Sequence, residues 1–183
     1  EKRVGHTGTL DPMATGVLPV LLGRATSLSS LLLEGDKRYI AEIKLGITTD
    51  TDDITGEVLQ ENSVNITTEQ LKNALNNFVG VIDQTPPAYS AIKKDGVRLY
   101  KLAREGKNTD IPSRKVEIFE ANILENLNEE NIFKVEFFVS KGTYIRSLAR
   151  DLGKSLGCGA TLYSLRRTKT AEFDIRDCIP LND

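Results

Sequence analysis

The sequence predicts an α+β fold, built on a mixed, largely antiparallel β-sheet that is flanked by helices. Some segments alternate apolar and polar residues as half-buried strands do, whereas others repeat apolar residues at helical spacing. Predicted strands follow one another along the chain, and helices are interspersed among them. This order favours a mixed or antiparallel sheet with helices packed against it.

One strand and one helix are predicted in the first half of the chain. Side chains alternate over residues 38–45, with Tyr39 on the apolar side, which is typical of a strand. Thr67 and Gln70 resemble a capping box, and the helix that they open carries an apolar face. Gly80 is predicted to end that helix.

The second half of the chain repeats this mixture. Strands are predicted over residues 116–124 and 132–139, joined by a polar stretch. Apolar residues then recur at positions 145, 148, 152 and 156, with glycines soon after, and this spacing predicts a helix. A further helix is predicted over about 97–104.

Length and composition narrow the class of protein. With 183 residues, 39% hydrophobic and 27% charged, the chain fits one globular domain over 1–183. Residues 170–183 are a candidate start of a linker to a further domain. No apolar run approaches a membrane span, and two cysteines provide neither a disulfide framework nor a zinc site. The expected location is the cytoplasm.

Positive charge is concentrated in two stretches, although the net charge is −2. Residues 93–115 hold eight basic residues and three acids, and residues 141–169 hold seven basic residues and one acid. Two such stretches can form one positive face for a polyanion. They can equally be separate solvent-facing clusters, and charge alone does not decide between these two interpretations.

The most unusual segment is the loop over residues 5–20, which surrounds one carboxylate, Asp11, with small residues. Pro12 favours an extended backbone at Asp11. A rigid loop that presents one acid suits a nucleophile or a general base. An ordinary turn with an Asp cap has the same composition, so both interpretations stay open here.

Three other segments are candidate parts of a site. Tyr39 can be a core ring or a stacking platform, and prolines stiffen residues 85–93. Residues 140–146 mark the junction of a strand and a helix, where free backbone N–H groups suit anions. Arg146, in the first helical turn, is either a surface arginine or the partner of a carboxylate from another loop.

Several other types of site are excluded by spacing. Residues 50–56 imitate a calcium loop, but Ile54 occupies the position of a third oxygen ligand. The glycines near Asp11 lack the Gly-Lys-Ser/Thr ending of a phosphate-binding loop. His6 is the single histidine, so designs that need two are excluded, and no Gly-x-Ser-x-Gly motif supports a serine triad. We therefore expect a site without metal or cofactor.

Taken in order along the chain, these segments resemble the motifs of the TruB family of tRNA pseudouridine synthases. Residues 5–19 (GHTGTLDPMATGVLP) are similar to the family's catalytic motif, and their GVLP ending resembles bacterial stand-alone members. Further matches are 37–39 (KRY), 49–52 (TDTD), 86–91 (PPAYSA), 140–146 (SKGTYIR), 157–160 (GCGA) and 165–167 (LRR).

The resemblance implies a reaction: uridine 55 in the T loop of tRNA is flipped out and isomerised to pseudouridine. Asp11 would be the nucleophile, attacking either C1′ of the sugar or the base. Arg146 would keep Asp11 ionised, and Tyr39 would stack on the uracil. Family-implied RNA contacts are His6 near the flipped nucleotide, Tyr144 and Leu165 lining the pocket, and Lys93, Lys94, Arg166 and Arg167 on phosphates.

The resemblance also implies a monomer that binds the T stem-loop of tRNA without a cofactor, an obligate protein partner or a membrane. Family members begin earlier, with a strand and a Lys-Pro-x-Gly-x-Thr-Ser segment, and many continue into a C-terminal RNA-binding domain. The catalytic domain is therefore expected to be N-terminally incomplete here. Two alternatives are a non-catalytic tRNA-binding or RNA-folding module and a glycosidase-like hydrolase that uses Asp11.

Overall fold

The computed structural model describes residues 2–90, 93–94, 97–98 and 111–180, with backbone pairing alone at 93–94 and 97–98. The strands are β1 (Val4–His6), β2 (Thr15–Gly16), β3 (Val20–Leu22), β4 (Lys37–Leu45), β5 (Ile47–Thr49), β6 (Val58–Glu61), β7 (Gly80–Gln84), β8 (Lys93–Lys94), β9 (Val97–Arg98), β10 (Arg114–Glu125), β11 (Ile132–Val139), β12 (Ala160–Thr170) and β13 (Phe173–Asp174). The α-helices within these ranges are α1 (Ser29–Leu33), α2 (Thr68–Asn76) and α3 (Ile145–Ser155), and short 3₁₀ helices span Gly23–Leu28 and Ile175–Asp177.

A seven-stranded sheet organises these elements in the order β13-β12-β4-β11-β10-β7, with β2 attached to β12. All the pairings along this path are antiparallel. The short strand β2 joins β12 in parallel, which makes the sheet mixed. The predicted fold class is confirmed. No helix in the described ranges is both long enough and apolar enough to cross a membrane.

The core lies between one face of the sheet and helices α2 and α3. Tyr39, Ala41 and Ile43 alternate on the buried face of β4, as predicted. Helix α3 approaches the sheet closely at Gly153, where a Cβ atom would lie 2.1 Å from the backbone nitrogen of Ala160. Other members of the core are Leu71, Leu75, Phe133, Val135, Phe137, Leu148, Leu152 and Leu162.

Several predicted elements are confirmed with small changes of boundary. Strands β10 and β11 cover the predicted strands 116–124 and 132–139, and α3 is the helix predicted from its apolar spacing. The capping box of α2 is present: the Gln70 N–H donates to Thr67 Oγ1 at 3.2 Å, and the Thr67 N–H donates to Gln70 Oε1 at 2.9 Å. Local hydrogen bonding therefore fixes the start of α2.

Two predicted details are wrong. Helix α2 ends at Asn76, because the N–H groups of Phe78 and Val79 bond to carbonyls three residues back, and Gly80 instead begins β7. Val97 and its neighbour form β9, paired with β8, where a helix was predicted over 97–104; residues 99–104 of that prediction lie outside the described residues. The Asp-Gly dipeptide between β8 and β9 in the sequence favours a hairpin.

Candidate active site

Asp11 lies in the loop between β1 and β2, and β12 holds this loop in place. A backbone hydrogen bond of 2.8 Å to the Asp11 carbonyl closes a turn around Pro12. From β12, Arg167 Nε donates to the Val17 carbonyl at 2.8 Å and Nη2 donates to the Gly8 carbonyl at 3.1 Å. The backbone on both sides of Asp11 is thus fixed to the sheet.

Gly16 allows this loop to lie directly against β12. Its φ is +111°, and a Cβ atom there would lie 2.1 Å from the carbonyl oxygen of Arg167. Arg167 itself is 1% exposed, and its guanidinium bonds to carbonyls of the loop. The Arg167 side chain therefore holds the loop in place, a role that was not predicted from the sequence. Its contact with phosphate stays a prediction.

Both oxygens of the Asp11 carboxylate accept hydrogen bonds from one guanidinium, that of Arg146. Arg146 Nε donates to Asp11 Oδ2 and Nη2 donates to Oδ1, each at 2.9 Å. The Arg146 side chain is 6% exposed, whereas that of Asp11 is 29% exposed. Arg146 therefore lies behind a carboxylate that remains accessible, and the predicted contact between these two residues is confirmed.

Arg146 has further partners that set the orientation of its guanidinium. Nη1 donates to the Thr51 carbonyl and Nη2 to the Tyr89 carbonyl, both at 3.0 Å, and Nη1 lies 3.6 Å from Asp53 Oδ2. Asp53 Oδ1 accepts hydrogen bonds from Thr51 Oγ1 (2.9 Å) and from the Thr55 N–H (3.0 Å). From the sequence, this segment was a failed calcium loop whose first residues match a family motif, and no role was predicted for Asp53. The alternating hydroxyl and carboxylate groups of the segment signal an internal hydrogen-bond network.

A buried glutamine fixes the start of α3, where Arg146 lies. Gln84, at the end of β7, is fully buried and accepts from the Tyr144 N–H at 2.8 Å. Its Nε2 donates to the Tyr144 carbonyl at 3.1 Å. Because Tyr144 is the N-terminal cap residue of α3, this pair of bonds ties the first turn of the helix to the sheet.

The accessible side of Asp11 faces a cavity of about 850 Å³. Tyr39, Tyr89 and Tyr144 line it, and Tyr144 was predicted to line the pocket. Stacking of a base on Tyr39 stays a prediction. Asp11 is the one acid among the lining residues of the described structure, and the lining cations are Lys37, Arg114, Lys115, Lys141, Arg146 and Arg167. The cavity therefore combines apolar ring surface with a strong excess of positive charge.

Two buried groups that line the cavity have pKa values shifted in the direction that favours their neutral forms. Burial raises the pKa of the Tyr39 hydroxyl; the Arg167 guanidinium opposes that rise and the Asp11 carboxylate adds to it. Burial lowers the pKa of the Lys37 ammonium, and Arg167 lowers it further. Tyr39 is therefore a neutral ring at physiological pH, able to stack on a planar ligand without bringing charge.

The mouth of the cavity contains cations from both basic stretches of the sequence. The Arg114 guanidinium lies over the Tyr144 ring, 4.8 Å from its centroid, and also donates to the Gly142 carbonyl. Lys115 and Lys141 line the same cavity. Arg114 and Lys115 come from the first basic stretch and Lys141 from the second, so part of each stretch meets at this cavity, as one of the two open interpretations expected.

The remaining predicted contacts are not among the described residues that line the cavity. Leu165 is 7% exposed and belongs to the core cluster, and its place in the pocket stays a prediction. His6 is exposed on β1 and Arg166 is exposed on β12, so their RNA contacts stay predictions. The side chains of Lys93 and Lys94 lie outside the described residues.

Two family models match the chain. "TruB family pseudouridylate synthase (N terminal domain)" matches residues 1–145, and "tRNA pseudouridylate synthase B C-terminal domain" matches residues 146–183. Among curated relatives, tRNA pseudouridine synthase B of Francisella philomiragia is 50% identical over 184 residues, covering 100% of this chain and 60% of the relative. The corresponding protein of Francisella tularensis is 50% identical over 183 residues, with 98% and 60% covered. The chain thus spans about 60% of the length of these relatives.

Solved structures agree with this relationship. A chain of a Cbf5-Nop10-Gar1 complex is similar with a TM-score of 0.71 and 30% identity, covering 94% of this chain and 42% of that chain. A chain of an H/ACA RNP bound to a substrate RNA containing 2′-deoxyuridine gives a TM-score of 0.67 and 27% identity, with 94% and 40% covered. The fold, the two family models and the relatives agree. The chain therefore belongs to the TruB family of pseudouridylate synthases.

Proposed function

We propose that this chain is a tRNA pseudouridine synthase that isomerises uridine 55 in the T loop of tRNA, with Asp11 as its nucleophile. The observation that carries the proposal is the Asp11 carboxylate, bound on both oxygens by a buried arginine and open to a cavity with aromatic walls. The named activity of the Francisella relatives supports the same reaction for this chain.

The isomerisation requires a nucleophile but no net oxidation or reduction. The C1′–N1 bond breaks, a C1′–C5 bond forms, the C5 proton leaves, and N1 gains a proton. A carboxylate has about four acceptor positions, and Arg146 occupies two of those on Asp11. An oxygen lone pair therefore remains on the cavity side for attack on C1′ or on the base.

Arg146 orients the group that reacts. Its fork binds both oxygens of Asp11 and fixes the plane of the carboxylate. Because the guanidinium is anchored by the Thr51 and Tyr89 carbonyls, it holds the carboxylate in place while a bond to Asp11 forms and breaks. We assign Arg146 to orientation of the nucleophile.

The cavity suits a flipped nucleotide in size, surface and charge. A volume of about 850 Å³ accommodates one nucleotide with part of its backbone, within the usual range of ligand sites. Tyr39 lines this cavity, and we assign it to stacking on the uracil, an interaction worth about 1–3 kcal/mol per base. Arg114, Lys115 and Lys141 at the mouth give the positive potential that attracts the phosphates of an RNA stem-loop.

The test is tritium release from a tRNA transcript that carries uridine labelled with tritium at C5. We expect the wild-type protein to release tritium. Asp11→Asn should release none while it retains its affinity for the RNA. Asp83→Asn is the matched control, because Asp83 is exposed on β7 and does not line the cavity. Full turnover by Asp11→Asn would refute Asp11 as the nucleophile.

A second transcript tests the position of the reaction. When uridine 55 alone is replaced by cytidine, tritium release should stop even though all other uridines keep their label. Release at an unchanged rate would refute the proposed site of modification. Tight RNA binding by the wild-type protein without any release would instead support the non-catalytic RNA-binding module.

A further inference from the structure

Helix α3 carries a second arginine, Arg150, one turn after Arg146, and both side chains bind the loop that follows β5. Arg146 Nη1 donates to the Thr51 carbonyl at 3.0 Å, and Arg150 Nη1 lies 3.0 Å from Asp52 Oδ2. Residues four apart lie on the same side of a helix. Consecutive turns of α3 therefore hold consecutive residues of one loop.

Asp52 has an unusual backbone that ties the loop to β12. Its φ is +61°, a left-handed conformation that few residues other than glycine, Asn and Asp adopt. Its carbonyl accepts from the Leu162 N–H at 3.1 Å, and the Ile54 N–H donates to the Leu162 carbonyl at 2.9 Å. The loop is thus attached to β12 by its backbone and to α3 by the Asp52 side chain.

Arg150 is held in place by contacts besides Asp52. Its Nε lies 2.9 Å from Asp151 Oδ1, and Nη2 donates to the Thr85 carbonyl at 2.9 Å. The Asp52 side chain is 14% exposed, so burial raises the pKa of its carboxyl; Arg150 and Arg146 oppose this rise, and Asp151 adds to it. Without Arg150, a largely buried carboxylate would lose its closest cation, and the loop would have to open to hydrate it.

We propose that the Arg150–Asp52 ion pair is a positioning unit for Arg146. It holds the loop so that the Thr51 carbonyl stays within hydrogen-bond distance of the Arg146 guanidinium, which is thereby aligned with Asp11. Neither Arg150 nor Asp52 is among the residues that line the cavity of the described structure, so the pair acts through Arg146. The kinetic part of this inference rests on the proposed function.

The experiment compares Asp52→Asn, Arg150→Met and the double variant in single-turnover tritium release on a T stem-loop RNA. Asn tolerates the left-handed backbone and keeps the size of Asp, so Asp52→Asn removes mainly the charge. Each single variant should slow the reaction about 10- to 100-fold, as loss of an outer supporting contact does elsewhere, with RNA Kd unchanged. The double variant should be no slower than the slower single variant, because both changes break one contact.

Two further variants separate positioning from general damage to the fold. Arg150→Lys keeps the cation and should retain most of the rate that Arg150→Met loses. Glu120→Gln breaks an ion pair with Arg38, on the face of β4 that points away from the cavity, and should leave the rate unchanged. Rate losses that multiply in the double variant, or an equal loss in Glu120→Gln, would overturn the inference.

Amide hydrogen exchange measured by NMR gives a readout that does not depend on turnover. The amides of Ile54 and Leu162 should exchange faster in Asp52→Asn than in the wild-type protein, because they join the loop to β12. Unchanged exchange would overturn the inference, whatever the rates. Absence of tritium release by the wild-type protein would refute the proposed function instead, and exchange would still decide whether the pair holds the loop.

Discussion

Replacing Arg146 with lysine keeps a positive charge beside Asp11 but removes the planar fork that binds both carboxylate oxygens. Arg146 Nε and Nη2 each donate to Asp11 at 2.9 Å, and two more donors reach the carbonyls of Thr51 and Tyr89. A lysine ammonium is a point charge with three donors and no fixed plane. It can bind one Asp11 oxygen, but it cannot hold the plane of the carboxylate at the same time.

The size of the effect follows from the contacts that are lost. A hydrogen bond to a charged group contributes about 1.5–3 kcal/mol, and Arg146→Lys removes at least one of the two to Asp11. Since each 1.36 kcal/mol corresponds to a factor of ten, the single-turnover rate should fall about 10- to 150-fold. Arg146→Met also removes the charge, and it should lower the free energy of unfolding by about 3–5 kcal/mol, as breaking a buried ion pair usually does.

The assay is single-turnover tritium release with saturating enzyme, together with RNA Kd and the free energy of unfolding. Arg38→Lys is the matched control, because Arg38 makes the same kind of fork with Glu120 (2.9 and 3.0 Å) on the other face of β4. That variant should keep the wild-type rate. If Arg146→Lys keeps a rate within threefold of wild type, or loses rate only through weaker RNA binding, orientation of Asp11 by the fork is refuted.

Two further predictions concern stability. Because the pKa of Tyr39 is raised in the fold, Tyr39 ionises above about pH 10 in the unfolded chain but stays neutral in the folded one, so the wild-type protein loses stability there that Tyr39→Phe retains. Urea unfolding at pH 8 and pH 10.5 measures this loss, with Tyr163→Phe, at an exposed tyrosine, as the control. A stability difference between wild type and Tyr39→Phe that does not change with pH would contradict the prediction. Gly153→Ala should lower stability by about 1–3 kcal/mol by forcing α3 away from Ala160; an unchanged urea midpoint would show that the helix shifts without cost.

The sequence predicted those parts of the fold whose pattern is local. The alternation that includes Tyr39, the capping pair Thr67 and Gln70, and the apolar spacing of α3 each report an interaction within a few residues along the chain. Strand β12 was not predicted, since register shifts near Ser164 and Lys169 interrupt its alternation. A strand with two irregularities does not show the period of two on which such a prediction depends.

The residues alone left the site open, and the resemblance to the TruB family supplied its pairings. Arg146 was either a surface arginine or the partner of a carboxylate; the resemblance paired it with Asp11, and the structure shows that contact. The resemblance also assigned Arg167 to phosphate, but it did not predict that Arg167 bonds to the loop around Asp11. The burial of Arg167 depends on the loop around Gly16 lying against β12, and that contact joins residues about 150 positions apart.

The long-range contacts of Arg146 explain why this site depends on the fold more than on individual side chains. Its guanidinium joins the loop of Asp11, the segment after β5 and the segment after β7, and it does so partly through the carbonyls of Thr51 and Tyr89. A carbonyl cannot be removed by changing a side chain, so these contacts survive most substitutions at positions 51 and 89. They are lost when the backbone moves. Residues that hold the backbone, such as Gln84 and Asp52, should therefore affect turnover more than their distance from the cavity suggests.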